Sequence, residues 1–285
     1  MSSNKTIATK DWAIKRLLIV LAIGLIVFLF FTIHDLQEIN LAINSVAKIN
    51  FLESKWAYFY LHIITLIPVL ALSFDKKVAF YKSWKFLWQP ILIVGSGFII
   101  WDVFFTFYGI WGFNPKYLSG FEFVYLPIEE WLFFVSVPFA CVFIYECLNA
   151  YFPEDSLDVA ETWITMGLIV FLGTISILYY TRPYTFLTFG LTSIFLILHR
   201  RYGTKFVRKR FYLSYIVVLL PFLIINGVLT GAFTEEPIVA YSEQAFMGKR
   251  IFTIPFEDSI YGFLLLMSIV TGFEHLKTKR NFIIK

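Results

Sequence analysis

Long apolar runs separated by shorter polar stretches dominate the chain. Eight such runs can be marked, at 14–33, 56–74, 87–107, 131–150, 163–180, 184–199, 211–231 and 259–274. Most approach the roughly 20 residues a helix needs to cross a bilayer core. They are too long and continuous for barrel strands, and a backbone in lipid must satisfy its own hydrogen bonds. The pattern predicts an all-α integral membrane protein with about eight transmembrane helices. The first run follows Lys10, Lys15 and Arg16. Its core is too long for a cleaved signal, and no small-x-small site follows closely, so it reads as a retained span.

Basic residues set the expected orientation. Lys5, Lys10, Lys15 and Arg16 precede the first run, and Lys76, Lys77, Lys82 and Lys85 follow the second. Arg200, Arg201, Lys205, Arg208, Lys209 and Arg210 follow the sixth, and Lys277, Lys279, Arg280 and Lys285 form the tail. With eight spans these clusters share one side, which the positive-inside rule makes cytoplasmic, with both termini there. A bacterial inner membrane is the expected location. Charged residues are only 15% of the chain, against roughly 25% in soluble domains. The short basic clusters therefore report topology and bilayer contact, and no nucleic-acid partner is expected.

The chain also repeats itself. Phe98-Ile-Ile-Trp-Asp-Val-Phe-Phe-Thr106 aligns with Phe222-Leu-Ile-Ile-Asn-Gly-Val-Leu-Thr230, which places Asp102 opposite Asn226. Pro127-Ile-Glu-Glu130 aligns with Pro255-Phe-Glu-Asp258, and the span starting at Tyr58 with the one starting at Tyr184. Equivalent elements lie four spans apart, an even number, so the halves form two parallel pseudo-repeats about an axis along the membrane normal. The expected organisation is an N-terminal extension with an extra span (1–55), a first repeat (56–150), and a second repeat with a linking helix (151–285).

Candidate chemistry concentrates where these motifs enter the membrane. Pro127 and Pro255 suit helix starts, and acids suit a first turn. One such motif is ordinary; two, each opening a span after a long polar loop, point to function. A proton donor must stay neutral, whereas a helix N-terminus favours the charged form. Burial or a second carboxylate reverses that preference. Glu129, Glu130, Glu257 and Asp258 are thus candidate catalytic residues, with Glu129 and Glu257 tried first. Neighbours lie about 100° apart on a helix, so one of each pair is expected to face a site. Asp102, an ionisable group inside a span, is a further candidate. Trp101, Trp111, Trp131, Phe133 and Phe134 are candidate pocket aromatics, whose faces attract cations.

Glu146 and Glu274 read as solvated span ends. Glu154, Asp155 and Asp158 read as a solvated loop in preference to a magnesium site. Cys141 and Cys147 read as small apolar fillers that do not pair. The scattered His34, His62, His199 and His275 argue against a di-iron oxygenase. No metal and no cofactor are expected.

At these residues the sequence resembles the small, non-flavin lycopene cyclases of the two-subunit type, with both halves in one chain. The matching segments are Leu72-Ser-Phe-Asp-Lys-Lys77, Trp101-Asp102, Gly109-Ile-Trp-Gly-Phe-Asn114, Pro127-Ile-Glu-Glu-Trp-Leu-Phe-Phe134, Asn226-Gly-Val-Leu-Thr-Gly231 and Pro255-Phe-Glu-Asp258. The resemblance implies an intramolecular lyase or isomerase of carotenoid biosynthesis. A general acid would protonate the terminal double bond of lycopene or a related acyclic carotenoid. The carbocation would close on a neighbouring double bond, and a base would remove a proton, with no net redox change. It adds Asn114 and Asn226 to Trp101, Trp111, Phe133 and Phe134 as expected substrate contacts. Membrane lipid and other carotenoid-pathway enzymes are the expected partners. Two alternatives remain. One is another isoprenoid enzyme, a carotenoid hydratase or a prenyltransferase, marked by water retained in the product or by magnesium dependence. The other is a membrane carrier, marked by transport without product.

Overall fold

The computed structural model describes residues 45–152 and 160–283, with side chains to residue 279. Within them the apolar runs form α1 (Ala57–Leu72), α2 (Trp84–Phe107), α3 (Ile128–Tyr151), α4 (Ala160–Leu178), α5 (Pro183–Tyr202), α6 (Lys205–Leu229) and α7 (Phe256–Ile283). Five of them, α2, α3, α4, α6 and α7, are long and apolar enough to cross a membrane, and the chain is a membrane protein. The apolar helix α1 is shorter. α5 is more polar, burying Thr185, Thr188, Thr192 and Ser193. The first expected span, 14–33, and the acidic stretch 154–158 lie outside the described residues.

The repeat is visible as two helix triplets, α1–α3 and α5–α7, joined by α4. α3 and α7 pack together at the centre, and α2 and α6 each touch both. α1 lies on α3 as α5 lies on α7. The linking helix α4 rests outside, against α5. A Cβ on Gly190 would come within 2.8 Å of Ser176 Oγ, so any larger residue there would force the serine hydroxyl to move. Trp163, Ile177 and Leu178 on α4 remain exposed, as suits a lipid-facing surface.

Short strands complete the loops that lead to the acidic motifs. β1 (Trp111–Phe113) pairs antiparallel with β4 (Val239–Tyr241), Gly112 opposite Ala240. The two strands are repeat equivalents, so the central pair sits on the pseudo-two-fold axis. The hairpins β2 (Glu122–Phe123) with β3 (Leu126–Pro127), and β5 (Arg250–Ile251) with β6 (Ile254–Pro255), deliver the chain to α3 and α7. α2 and α6 end alike. After α2, Ile110 N–H bonds Phe105 O at 2.9 Å and Gly109 N–H bonds Thr106 O at 3.1 Å. After α6, Ala232 N–H bonds Gly227 O at 2.8 Å and Gly231 N–H bonds Val228 O at 3.2 Å. Both glycines take positive φ, +65° and +92°, which this helix ending requires.

One expectation fails at the opposite end of the helices. Glu146 is not solvated. It is buried, and Lys277 Nζ lies 2.8 Å from each of its carboxyl oxygens, joining α3 to α7. A buried carboxylate is costly unless paired, and the lysine near the end of α7 supplies the partner.

Candidate active site

The helix turn separates the two acids of each motif. Glu129 and Glu257 turn away from the bundle centre and hold their own loops. Glu129 Oε1 accepts the backbone N–H of Ser119 at 2.8 Å. Glu257 Oε1 accepts the N–H of Met247 at 2.9 Å and the Thr185 hydroxyl at 2.5 Å. Ser119 and Met247 stand ten residues before their glutamates, so the two clamps are repeat equivalents. The second oxygens of Glu129 and Glu257 are buried without a hydrogen-bond partner among the described residues.

Glu130 and Asp258 face inward, onto a cavity of about 390 Å³ that both repeats line. Tyr58, at the start of α1, donates to Glu130 Oε2 at 2.6 Å. Its counterpart Tyr184, at the start of α5, donates to Asp258 Oδ1 at 2.6 Å. Symmetry then breaks at the mid-helix positions. On α2, the buried Asp102 carboxyl stands beside Glu130, both lining the cavity, and accepts from Tyr261 at 2.6 Å. On α6, Asn226 instead donates its amide to Asp258 Oδ2 at 2.8 Å. Tyr241 of β4 donates to that same oxygen at 2.9 Å. Burial, and then the charge of Asp258, push the Tyr241 phenol well above its ordinary range, so it remains a donor.

The two acidic sites thus differ chemically. A carboxyl–carboxyl hydrogen bond requires a proton on one partner, because an ionised carboxylate only accepts. Asp102 and Glu130 can therefore bond each other only with a proton between them. Asp258 receives three donors and needs none of its own, an arrangement that suits a carboxylate.

The rest of the cavity is apolar. It runs down α3 from Glu130 past Val137 and Cys141 to Ile144, about 20 Å at 1.5 Å per residue. α1 and α6 both pack on α3 and leave the mouth between them. There Ile64 and Ile224, which line the cavity, are 49% and 55% exposed, so among the described residues the cavity opens on the side of the bundle. At the acidic end, Trp111 and Phe113 of β1 with Val239 and Tyr241 of β4 close it off.

Of the expected contacts, Trp111, Phe133 and Asn226 line the cavity with Asp102, Glu130 and Asp258. Trp101, Phe134 and Asn114 do not. Trp101 is buried behind the wall, its ring 5.2 Å from Tyr261 and 5.6 Å from Phe98. Phe134 points to α2, where its Cβ and carbonyl oxygen lie 3.6 Å from the Cβ position of Gly95. Asn114 lies in the loops, donating to Glu236 at 2.8 Å and capping the turn at Lys116. Trp131 also stays in its hairpin, bonded to Phe123 O at 3.1 Å. Sequence reasoning missed the tyrosines. Tyr58 and Tyr184 were detectable, since they open the aligned spans; Tyr241 and Tyr261 break the repeat and give no sequence signal.

A family model described as Lycopene cyclase matches the chain in two segments, residues 54–148 and 181–276. They cover α1, α2, α5 and α6 with most of α3 and α7, and leave out the whole of α4. No curated protein and no solved structure matches the chain significantly.

Proposed function

Because the chain belongs to the lycopene cyclase family, we propose that it closes a ring at the end of lycopene or a related acyclic carotenoid by redox-neutral proton transfer. Asp102 and Glu130 together form the acid, and Asp258 is the carboxylate facing it. The shared proton passes from the acid pair to the terminal double bond of the substrate. The resulting tertiary carbocation is attacked by the neighbouring double bond, which forms the ring bond and moves the positive charge to a ring carbon. Loss of a proton to a carboxylate restores a double bond. One proton enters and one leaves, so the product is an isomer of the substrate.

The observation that carries this reading is the contrast between two neighbouring carboxyls, Asp102 and Glu130, in one repeat and an amide, Asn226, bonded to Asp258 in the other. On this reading the pair holds a proton and Asp258 a negative charge in one dry space. The apolar walls keep water from trapping the cation, and the faces of Trp111 and Phe133 can stabilise it. The sideways mouth suits a substrate dissolved in the bilayer.

Expression in a lycopene-making bacterium tests the reading. Red lycopene should give way to yellow cyclic products on chromatography. Unchanged lycopene, with the protein present in the membrane at normal level, would reject it.

A further inference from the structure

Parallel repeats and two acidic motifs invite the idea of two equivalent active centres, one for each end of the substrate. The second groove would run between α7 and α2, the counterparts of α3 and α6. Its walls are occupied. Phe222 and Ile225 of the cavity correspond to Phe98 and Trp101. The Phe98 and Trp101 rings stack 5.6 Å apart, and both pack on Tyr261, at 5.0 and 5.2 Å. Lower down, Ile144 of the cavity corresponds to Gly272. A Cβ at Gly272 would come within 3.1 Å of Pro90, so α7 and α2 close on each other there. The tryptophan and the glycine each remove the space their counterparts leave open.

Both motifs instead converge on the one groove. A cavity of about 390 Å³ is near the small end of ligand pockets. Its run of about 20 Å is shorter than a polyene able to span a bilayer core of roughly 30 Å. One end group fits at the acids while the far end remains in lipid.

We infer that the chain has one active centre built jointly by the two repeats, its symmetry counterpart being plugged by Trp101 and Phe98, and that it closes one carotenoid end per binding event. A product with two rings then requires the one-ring intermediate to leave sideways, reverse and enter again. This rests on the cyclase reading above.

The test uses the full chain in lipid vesicles, with isotope-labelled lycopene and a tenfold excess of unlabelled one-ring carotene added after the reaction starts. The inference expects label in any later two-ring product to be diluted about tenfold, because labelled intermediate mixes with the pool. Formation of labelled one-ring product alone supports it equally. Undiluted label in the two-ring product would overturn it. A second arm separates shared from independent centres. Under a shared centre, Glu130→Gln and Asp258→Asn each abolish all ring closure at unchanged protein level. If either variant still makes one-ring product at about half the normal rate, the centres are independent and the inference fails. Lycopene left intact by the unsubstituted protein would instead remove the underlying cyclase reading, a distinct result.

Discussion

Asp102 and Asn226 occupy the same place in the two repeats and differ only by oxygen for amide nitrogen. On the proposed mechanism that difference decides which carboxyl group has a proton to give. Asn226 satisfies Asp258 with a donor, whereas Asp102 can bond Glu130 only by sharing a proton. Asp102→Asn should therefore convert the acid site into a copy of the other and lower turnover by about 10²–10⁴-fold, the usual worth of a positioned acid. Glu130→Gln should have a similar effect. Glu129→Gln should cost far less, because a glutamine oxygen can still accept the Ser119 N–H. Rates per unit of membrane-inserted protein check all three. A Glu129→Gln defect as deep as that of Glu130→Gln would return Glu129 to the chemistry. Helical spacing leaves open which neighbour faces inward until the opposing helices are in place.

The decisive elements are the ends of α2 and α6, from which the chain enters β1 and β4 and closes the acidic end of the cavity. Gly109 and Gly231 perform the same backbone turn, but their surroundings differ. A Cβ at Gly109 meets open space, while at Gly231 it would come within 3.2 Å of Pro237 backbone atoms. Gly109→Ala should cost only the positive-φ strain, about 1 kcal/mol. Gly231→Ala adds a backbone collision and should cost clearly more. Thermal unfolding in detergent should rank the pair in that order. The opposite order would mean that the 231–237 turn relaxes easily. The sequence displays both glycines, but not the neighbour that makes one of them stringent.

At the scale of the molecule, the loops near the acidic motifs are tied across the repeats by charge. Lys116 contacts Glu53 at 3.2 Å and Glu235 at 2.9 Å, and Lys48 contacts Glu235 at 3.4 Å. For Glu53, partial burial favours the neutral form, but bonds from the Glu235 N–H, Tyr117 and Lys116 outweigh it and hold the carboxyl below its ordinary 4.5. A depressed carboxylate stabilises the fold fully above its ordinary value, and the contribution is lost as pH falls through the folded value. The melting-temperature gap between the parent protein and Glu53→Gln should thus be constant from neutral pH to about 5 and narrow as pH falls below 4.5. A gap that does not narrow at all on acidification would place the stabilisation elsewhere. Membrane orientation is a separate matter of positive charge. Reporter fusions at Lys285 and within residues 232–250 should report opposite sides, with the former cytoplasmic. Signals from the same side would refute the arrangement.

Much of this was written along the chain. Apolar runs long enough to need a helix in lipid determine the fold class, because no other open structure satisfies the backbone there. The matching motifs at Pro127 and Pro255, each opening a long apolar helix, pointed to repeated halves whose acids share one end. Tertiary structure alone decided the site. Trp101 and Trp111 look alike in sequence, yet one plugs a groove and the other lines one, depending on which helix lies opposite. Tyr241 and Tyr261 reach their carboxyls across 17 and 159 residues of chain. Local pattern records the periodicity of a helix but not the identity of what packs against it, and a proton can be shared only between groups that packing has brought within hydrogen-bond reach.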